Sequence, residues 1–302
     1  ARSIATMKSH LGNLADSLAR GLIWASLWDS CRDGELSTSD YVTIALNALK
    51  TESDISIVAA TYIQFETAIW AYANPAKRDA IRTQVADATA AMLASAAPGS
   101  DHQMQFARAF ANNAITPAHM DKIKAILDGS ENGLLVDAEI RWYIFICGVK
   151  RGVFGPAEID AESAKDKTAH GKQYNAYAYA ALPTKEAKVK AFASITTDNL
   201  SNTIHSYMSR GFNENIHHEL LTGFVDPYFD AILKVWETKG FEIAESTATL
   251  LFPAWVISDE TVKKAQHWLD VTGKDASNAL RRSVTEGRDA MSRAIKARAA
   301  DK

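Results

Sequence analysis

The sequence predicts an all-α protein, and three observations carry that prediction. Apolar residues recur at spacings of three and four along most of the 302 residues, the period of a helix with one buried face. Alternating runs of Val, Ile, Thr and Tyr closed by tight turns are scarce; Asp33-Gly34 and Asn132-Gly133 occur, but helical stripes flank both. Prolines stand where helices begin. Asn74-Pro75, Thr116-Pro117 and Asp226-Pro227 each set a capping side chain directly before a proline, and Gly155-Pro156 looks similar. The cap accepts a bond from an orphan N–H, and proline at the first helical position gives up no bond it would have made.

Taken in order, a first helix is expected over 4–31, on a stripe of Leu14, Leu18, Leu22 and Trp24 with Leu27 and Trp28. Ser37 and Thr38 can cap the next, over 38–50, which carries Ile44, Leu46 and Leu49. Helices over 54–73 and 75–96 meet at Asn74-Pro75. Ser100 with Gln103, in capping-box spacing, starts 101–113, and Thr116-Pro117 starts 117–128. Helices over 137–151, 156–166, 168–182, 184–195, 198–209 and 214–223 follow. Asp226-Pro227 opens 227–239, and a helix over 242–251 comes next. Ser258 with Glu260 or Thr261 starts 259–270, and a last helix spans 275–299.

The proline-marked starts at 75, 117 and 156 lie 42 and 39 residues apart, near the roughly 40-residue pitch of helix-pair repeats of the HEAT and armadillo kind. The expected architecture is an irregular superhelix of antiparallel helix pairs, each burying one face on its neighbour. The stretch Ala96 to Ser100 is too short for a linker, so one domain over 1–302 is expected.

Composition excludes several classes. An apolar fraction of 47% can build a core, and a net charge of −3 gives no nucleic-acid footprint. Between Arg281 and Lys302 there are seven basic residues and three acidic ones, the charge that suits the negative dipole at the C-terminal end of a solvated last helix. No 18-residue apolar run or signal-peptide pattern is present, so no membrane partner is expected. Cys31 and Cys147 form no C-x-x-C pair; Cys147, in the apolar run from Trp142 to Val149, reads as a small core residue. That usage fits a reducing compartment, hence a cytoplasmic location. The chain starts at Ala1 without an initiator Met, which suggests an excised or processed chain.

No catalytic constellation emerges. His217-His218-Glu219-Leu220-Leu221-Thr222 approaches the His-Glu-x-x-His of a zinc hydrolase, but position 222 is Thr, so neither frame supplies two ligands one turn apart. His217 and His218 read as surface or capping residues. Nucleophile-elbow and phosphate-loop patterns are absent. Glu158, Asp160, Glu162 and Asp166 fit a solvated face paired with Lys165 and Lys167. Tyr174, Tyr177 and Tyr179 can line a groove, or simply pack.

A larger pattern runs through the chain. It begins with Asp16-Ser17-Leu18-Ala19-Arg20-Gly21-Leu22-Ile23-Trp24, then Trp28-Asp29 and Arg32-Asp33-Gly34-Glu35-Leu36. The fullest part opens Asp137-Ala138-Glu139-Ile140-Arg141-Trp142-Tyr143-Ile144-Phe145, passes Glu158-Ile159-Asp160 and Asp166-Lys167-Thr168-Ala169-His170-Gly171, and closes on Leu182-Pro183-Thr184-Lys185-Glu186-Ala187-Lys188. Gly211-Phe212, Leu251-Phe252-Pro253 and Ala279-Leu280-Arg281-Arg282-Ser283-Val284-Thr285-Glu286 complete it. In order and spacing it resembles the C-terminal helical domain of bacterial aminopeptidase N, a zinc metallopeptidase. That domain is similar to the one closing the catalytic chamber in endoplasmic-reticulum aminopeptidases.

The resemblance implies a non-catalytic domain that caps a zinc site held elsewhere in the same polypeptide. It also implies contact with the far part of a peptide substrate. No metal or other cofactor is expected in this chain, and zinc is expected in the catalytic domain, which would be its partner. The family's Gly-Ala-Met-Glu-Asn segment is absent, and the position of its third zinc ligand falls on Phe241, with Glu242 one residue out of register. Arg141, Arg281 and Arg282 lie within matched motifs and are the substrate-contact candidates; the structural alternative pairs them with acidic neighbours such as Glu139 or Glu286. A free-standing helical-repeat module that binds a protein or peptide is the competing expectation.

Overall fold

The structure is a computed structural model that describes residues 2–131 and 133–301. Its helices are α1 (Arg2–His10), α2 (Ser17–Arg32), α3 (Thr38–Leu49), α4 (Ile55–Thr67), α5 (Arg78–Ser95), α6 (Asp101–Asn113), α7 (Pro117–Leu127), α8 (Ala138–Val149), α9 (Pro156–Lys165), α10 (Ala169–Ala180), α11 (Lys185–Thr197), α12 (Asn202–Phe212), α13 (His218–Leu221), α14 (Val225–Thr238), α15 (Phe241–Leu250), α16 (Asp259–Asp270) and α17 (Asn278–Ala300). No strand occurs among the described residues, so the all-α expectation holds. No described helix is long and apolar enough to cross a membrane.

Chain contacts resolve two compact units, Ala1–Ile144 with Arg293–Lys302, and Phe145–Ser292. The chain passes between them within α8 and again within α17. The first unit buries Tyr41, Phe65, Leu93, Phe110, Ile126 and Trp142. The second buries Phe212, Tyr228, Phe229, Phe252 and Trp268. Its buried aromatic tips are satisfied: the Tyr228 hydroxyl donates to the Ala248 carbonyl at 2.7 Å and the Trp268 indole N–H to the Phe229 carbonyl at 3.1 Å.

Most starts follow their caps. Ser37, Ser100, Thr116 and Ser258 accept from backbone N–H groups one turn on, and Asn74 accepts from the Ala76 N–H at 3.0 Å. At Gly155 the Glu158 carboxylate accepts the backbone N–H at 2.8 Å. Asp33-Gly34 ends α2: Gly34 sits at φ 76°, the left-handed stop that a Cβ disfavours. Asn132 of the other turn lies outside the described residues.

The structure corrects four expectations. The helix over 4–31 divides after α1, because Asp16 turns its carboxylate onto the Leu18 N–H at 2.9 Å and starts α2 afresh. Arg20 reaches back to the Leu14 and Ala15 carbonyls at 2.8 and 3.1 Å, which holds that break open. The stripe of Leu14, Leu18 and Leu22 faces solvent, while Arg20, Trp24, Leu27 and Cys31 face inward. Arg20 can sit there because Glu52 takes both its Nε and its Nη2, at 2.9 and 2.8 Å. Asp226 does not cap at Pro227: α14 begins at Val225, proline falls in the first turn where no intrahelical N–H bond is lost, and Asp226 pairs with Lys264 at 2.6 Å. The segment over 214–223 holds one turn of α-helix between two 3₁₀ turns.

The helix expected over 54–73 ends in a π turn at Ala68–Tyr72. The freed carbonyls are not left bare. Arg78 donates to Ile69 and Trp70, both at 3.2 Å, and Arg298 donates to Trp70 and Ala71 at 2.8 and 3.0 Å. Two arginines thus supply the donors that a wider turn needs.

Candidate functional site

The most distinctive chemistry lies in the second unit, where α10, α11 and α12 pack together. Lys188, Ala191 and Ile195 repeat at helical spacing along the buried face of α11, so a lysine occupies a core position. Its Nζ donates to the carbonyls of Ala180, Gly211 and Phe212 at 2.7, 2.9 and 3.0 Å. These are the C-terminal ends of α10 and α12, where carbonyls lack partners and the helix dipoles are negative. Burial pushes the Lys188 ammonium down, to about 7, and the Glu214 charge opposes that shift.

Glu214 lies next to this cap. It pairs with Lys150 at 3.1 Å and accepts the Tyr177 hydroxyl. Burial raises its carboxyl, but Lys150 and these hydrogen bonds outweigh burial and hold it below its ordinary value. His217 is buried beside them, not on the surface. Its Nε2 bonds the Lys150 carbonyl at 2.8 Å, which requires the proton on Nε2. Burial and the nearby Lys188 push its pKa down to about 4. The Lys150–Glu214–His217 cluster therefore staples the end of α8 to the turn after α12.

A groove of about 460 Å³ opens over the same helices. Its floor is small and apolar, built by Ala176, Ala180, Ala187, Ala191 and Met208; Asn175, Tyr179, Glu186, Lys190 and Ser194 form the rim. Alanines facing one another on α10 and α11 leave the space. Tyr179 donates to Asp160 at 2.6 Å, and this bond raises its pKa to about 12. The three tyrosines separate in role. Tyr179 lines the groove, Tyr177 holds Glu214, and Tyr174 packs edge-on against Tyr207 with ring centres 5.4 Å apart.

Such a groove can hold an apolar side chain and orient it by its polar rim. Among the described residues no three His, Cys, Asp or Glu side chains gather as a metal site. Glu162 pairs with Lys165 at 2.9 Å, but it is itself buried, so at this position the solvated-face expectation fails.

The three arginine candidates take two different places. Arg141, on α8, donates to the Leu127 carbonyl at 2.7 Å and closes the end of α7. Arg281, on α17, donates to the Leu269 and Gly273 carbonyls, each at 2.7 Å, and closes the end of α16. Arg282 points to solvent and pairs with Glu286 at 2.6 Å, its side chain 79% exposed. Glu139 pairs with Arg108 at 2.7 Å. Arg281 and Arg282 share one unit; Arg141 belongs to the other.

The groove and Lys188 were missed by reasoning from sequence. For Lys188 a signal existed, namely a lysine in phase with Ala191 and Ile195. For the groove none existed, since alanines carry no chemical signature.

The model of the ERAP1-like C-terminal domain family matches residues 1–293. An aminopeptidase N from Streptomyces lividans is 41% identical over 303 residues, a match covering 99% of this chain and 35% of that protein. The chain thus spans about a third of the length of the curated relative it matches.

Proposed function

This chain belongs to the ERAP1-like C-terminal domain family, and from that premise we propose that it is the non-catalytic C-terminal part of a zinc aminopeptidase. In this reading it closes the catalytic chamber and contacts the distal part of peptide substrates. The similarity to an aminopeptidase N along 99% of the chain carries the reading. The zinc and its ligands would belong to a catalytic domain of the same polypeptide, and the whole chain over 1–302 would act as one domain. The location would be cytoplasmic, in keeping with two free, buried cysteines.

Two features support contact with a peptide. The groove over α10 and α11 has an apolar floor and a polar rim, which suits a side chain of an extended peptide. Arg282 presents a guanidinium to solvent, and its planar fork can bind a carboxylate through two parallel bonds. Arg141 and Arg281, turned onto helix ends, would support the surfaces around them.

The test compares substrates of two lengths in the full polypeptide. Deleting residues 1–302 should impair turnover of long peptides far more than that of a single-residue chromogenic substrate. Equal losses on both would reject the substrate-contact role, and absence of zinc-dependent aminopeptidase activity in the full polypeptide would reject the reading as a whole.

A further inference from the structure

Helix α2 carries two faces of opposite kind. Arg20, Trp24, Leu27 and Cys31 turn inward. On the outer side Leu18, Leu22 and Ala25 follow one another at intervals of four and three residues, and all three are exposed. Leu18 is 72% and Leu22 66% accessible, and Leu14, in the segment before the helix, 40%. Single exposed leucines are ordinary on a soluble protein. A row in the knobs-and-holes period is not, because that period keeps every member against one partner along the helix. The buried side is already complete: Arg20 is paired with Glu52, and the Trp24 indole donates to the same carboxylate at 3.3 Å. Rotating α2 to bury the leucines would bring that pair into solvent, so the row is not a misplaced core face.

We propose that the Leu18–Leu22–Ala25 face of α2 is a docking surface for the polypeptide that precedes this domain in an aminopeptidase N-type protein, and that the partner offers an apolar stripe there. The inference rests on the function proposed above. The occupant follows from two facts. The match covers only 35% of the aminopeptidase N relative, so most of that protein lies outside it. The matching family is a C-terminal domain, so that remainder comes before it, next to the end of the chain that holds α2.

Carbene footprinting of Leu18 and Leu22 tests this in residues 1–302 alone and in the full-length polypeptide, with circular dichroism to verify folding. Both leucines should label strongly in the former and lose labelling in the latter. The double variant Leu18→Glu/Leu22→Glu should lower the melting temperature of the full-length polypeptide and leave that of residues 1–302 unchanged, since a charge is costly only where water is excluded. Equal labelling in both proteins would overturn the proposal. So would a melting shift of the same size in both, which would make the leucines part of this domain's own packing. If residues 1–302 sediment as a dimer that the double variant converts to a monomer, the occupant is a second copy and the proposal is wrong. Protection of the leucines in a full-length polypeptide without aminopeptidase activity would reject the proposed function and leave the docking face standing.

Discussion

A Cβ added to Gly211 would stand 2.3 Å from the carbonyl oxygen of Tyr177, so α12 approaches α10 at this point as only glycine allows. The same glycine offers its own carbonyl to Lys188 at 2.9 Å. Close approach and shared cation belong together, since the ammonium can reach the ends of both helices only if they converge. Gly211→Ala should force them apart and cost about 1–3 kcal/mol in urea denaturation, as overpacking does in other cores. No measurable change would mean that the two helices relax freely.

Lys188→Met keeps the length of the side chain and removes its three donors. Three buried carbonyls then lose their partner at once. The expected loss is about 3 kcal/mol or more, since each unsatisfied group costs about 1–3 kcal/mol. Chemical denaturation at neutral pH measures it. Stability equal to the parent's would show that water replaces the ammonium at the ends of α10 and α12.

Acid should weaken the fold through His217. Its folded pKa lies at about 4, below the ordinary value of about 6.5. Between these values the unfolded chain binds the proton and the folded one does not. The contribution is therefore full above about pH 6.5 and disappears as pH falls toward 4, reaching up to about 3 kcal/mol. Unfolding free energies measured at pH 7 and pH 4.5 should differ more in the parent than in His217→Gln. Parallel pH curves for the two proteins would remove His217 from the account.

Trp24 and Trp142 are 4% and 1% exposed. Replacing either with Ala should cost about 3–5 kcal/mol, through lost burial and the cavity left behind. Trp24→Ala also removes a donor from Glu52. Losses below about 1 kcal/mol would contradict the burial.

We expect residues 1–302 to melt in one transition, although chain contacts divide them into two units. Helices α8 and α17 run through both units, so unfolding either unit must unwind part of a helix that the other also uses. Calorimetry that resolves two separated transitions would reject this.

Much of the fold was legible because its punctuation is local. Ser100 with Gln103 and Ser258 with Thr261 set starts that the helices Asp101–Asn113 and Asp259–Asp270 keep to the residue. The face of α2 was misread for a physical reason. Hydrophobic period alone favours Leu14, Leu18 and Leu22, whereas the inward face includes Arg20, whose burial depends on Glu52 in the loop between α3 and α4. Arg141 and Arg281 posed the same difficulty. Sequence suggests acidic partners for a guanidinium, but these two arginines close helix ends, and backbone carbonyls leave no trace in residue identity.

Under the proposed function, those two contrasting environments predict different outcomes for the arginines in the full polypeptide. Arg282 meets solvent and pairs with the exposed Glu286, so a bound peptide's free carboxylate can compete for its fork. A contact far from the scissile bond serves long substrates and is out of reach of short ones. Arg282→Ala should therefore lower kcat/KM for long peptides by about ten- to a hundred-fold, the effect of losing one charge-assisted bond, and spare a single-residue chromogenic substrate. Arg281→Ala removes the donors that close α16. It should lower the melting temperature and affect both substrates alike, and Arg141→Ala should do the same through the end of α7. Kinetics on both substrate classes, alongside melting curves for the three variants, measure these outcomes. If Arg282→Ala leaves peptide turnover intact, the carboxylate anchor is not this arginine. If Arg281→Ala or Arg141→Ala discriminates between the substrates at unchanged melting temperature, those side chains leave their helix ends when peptide binds.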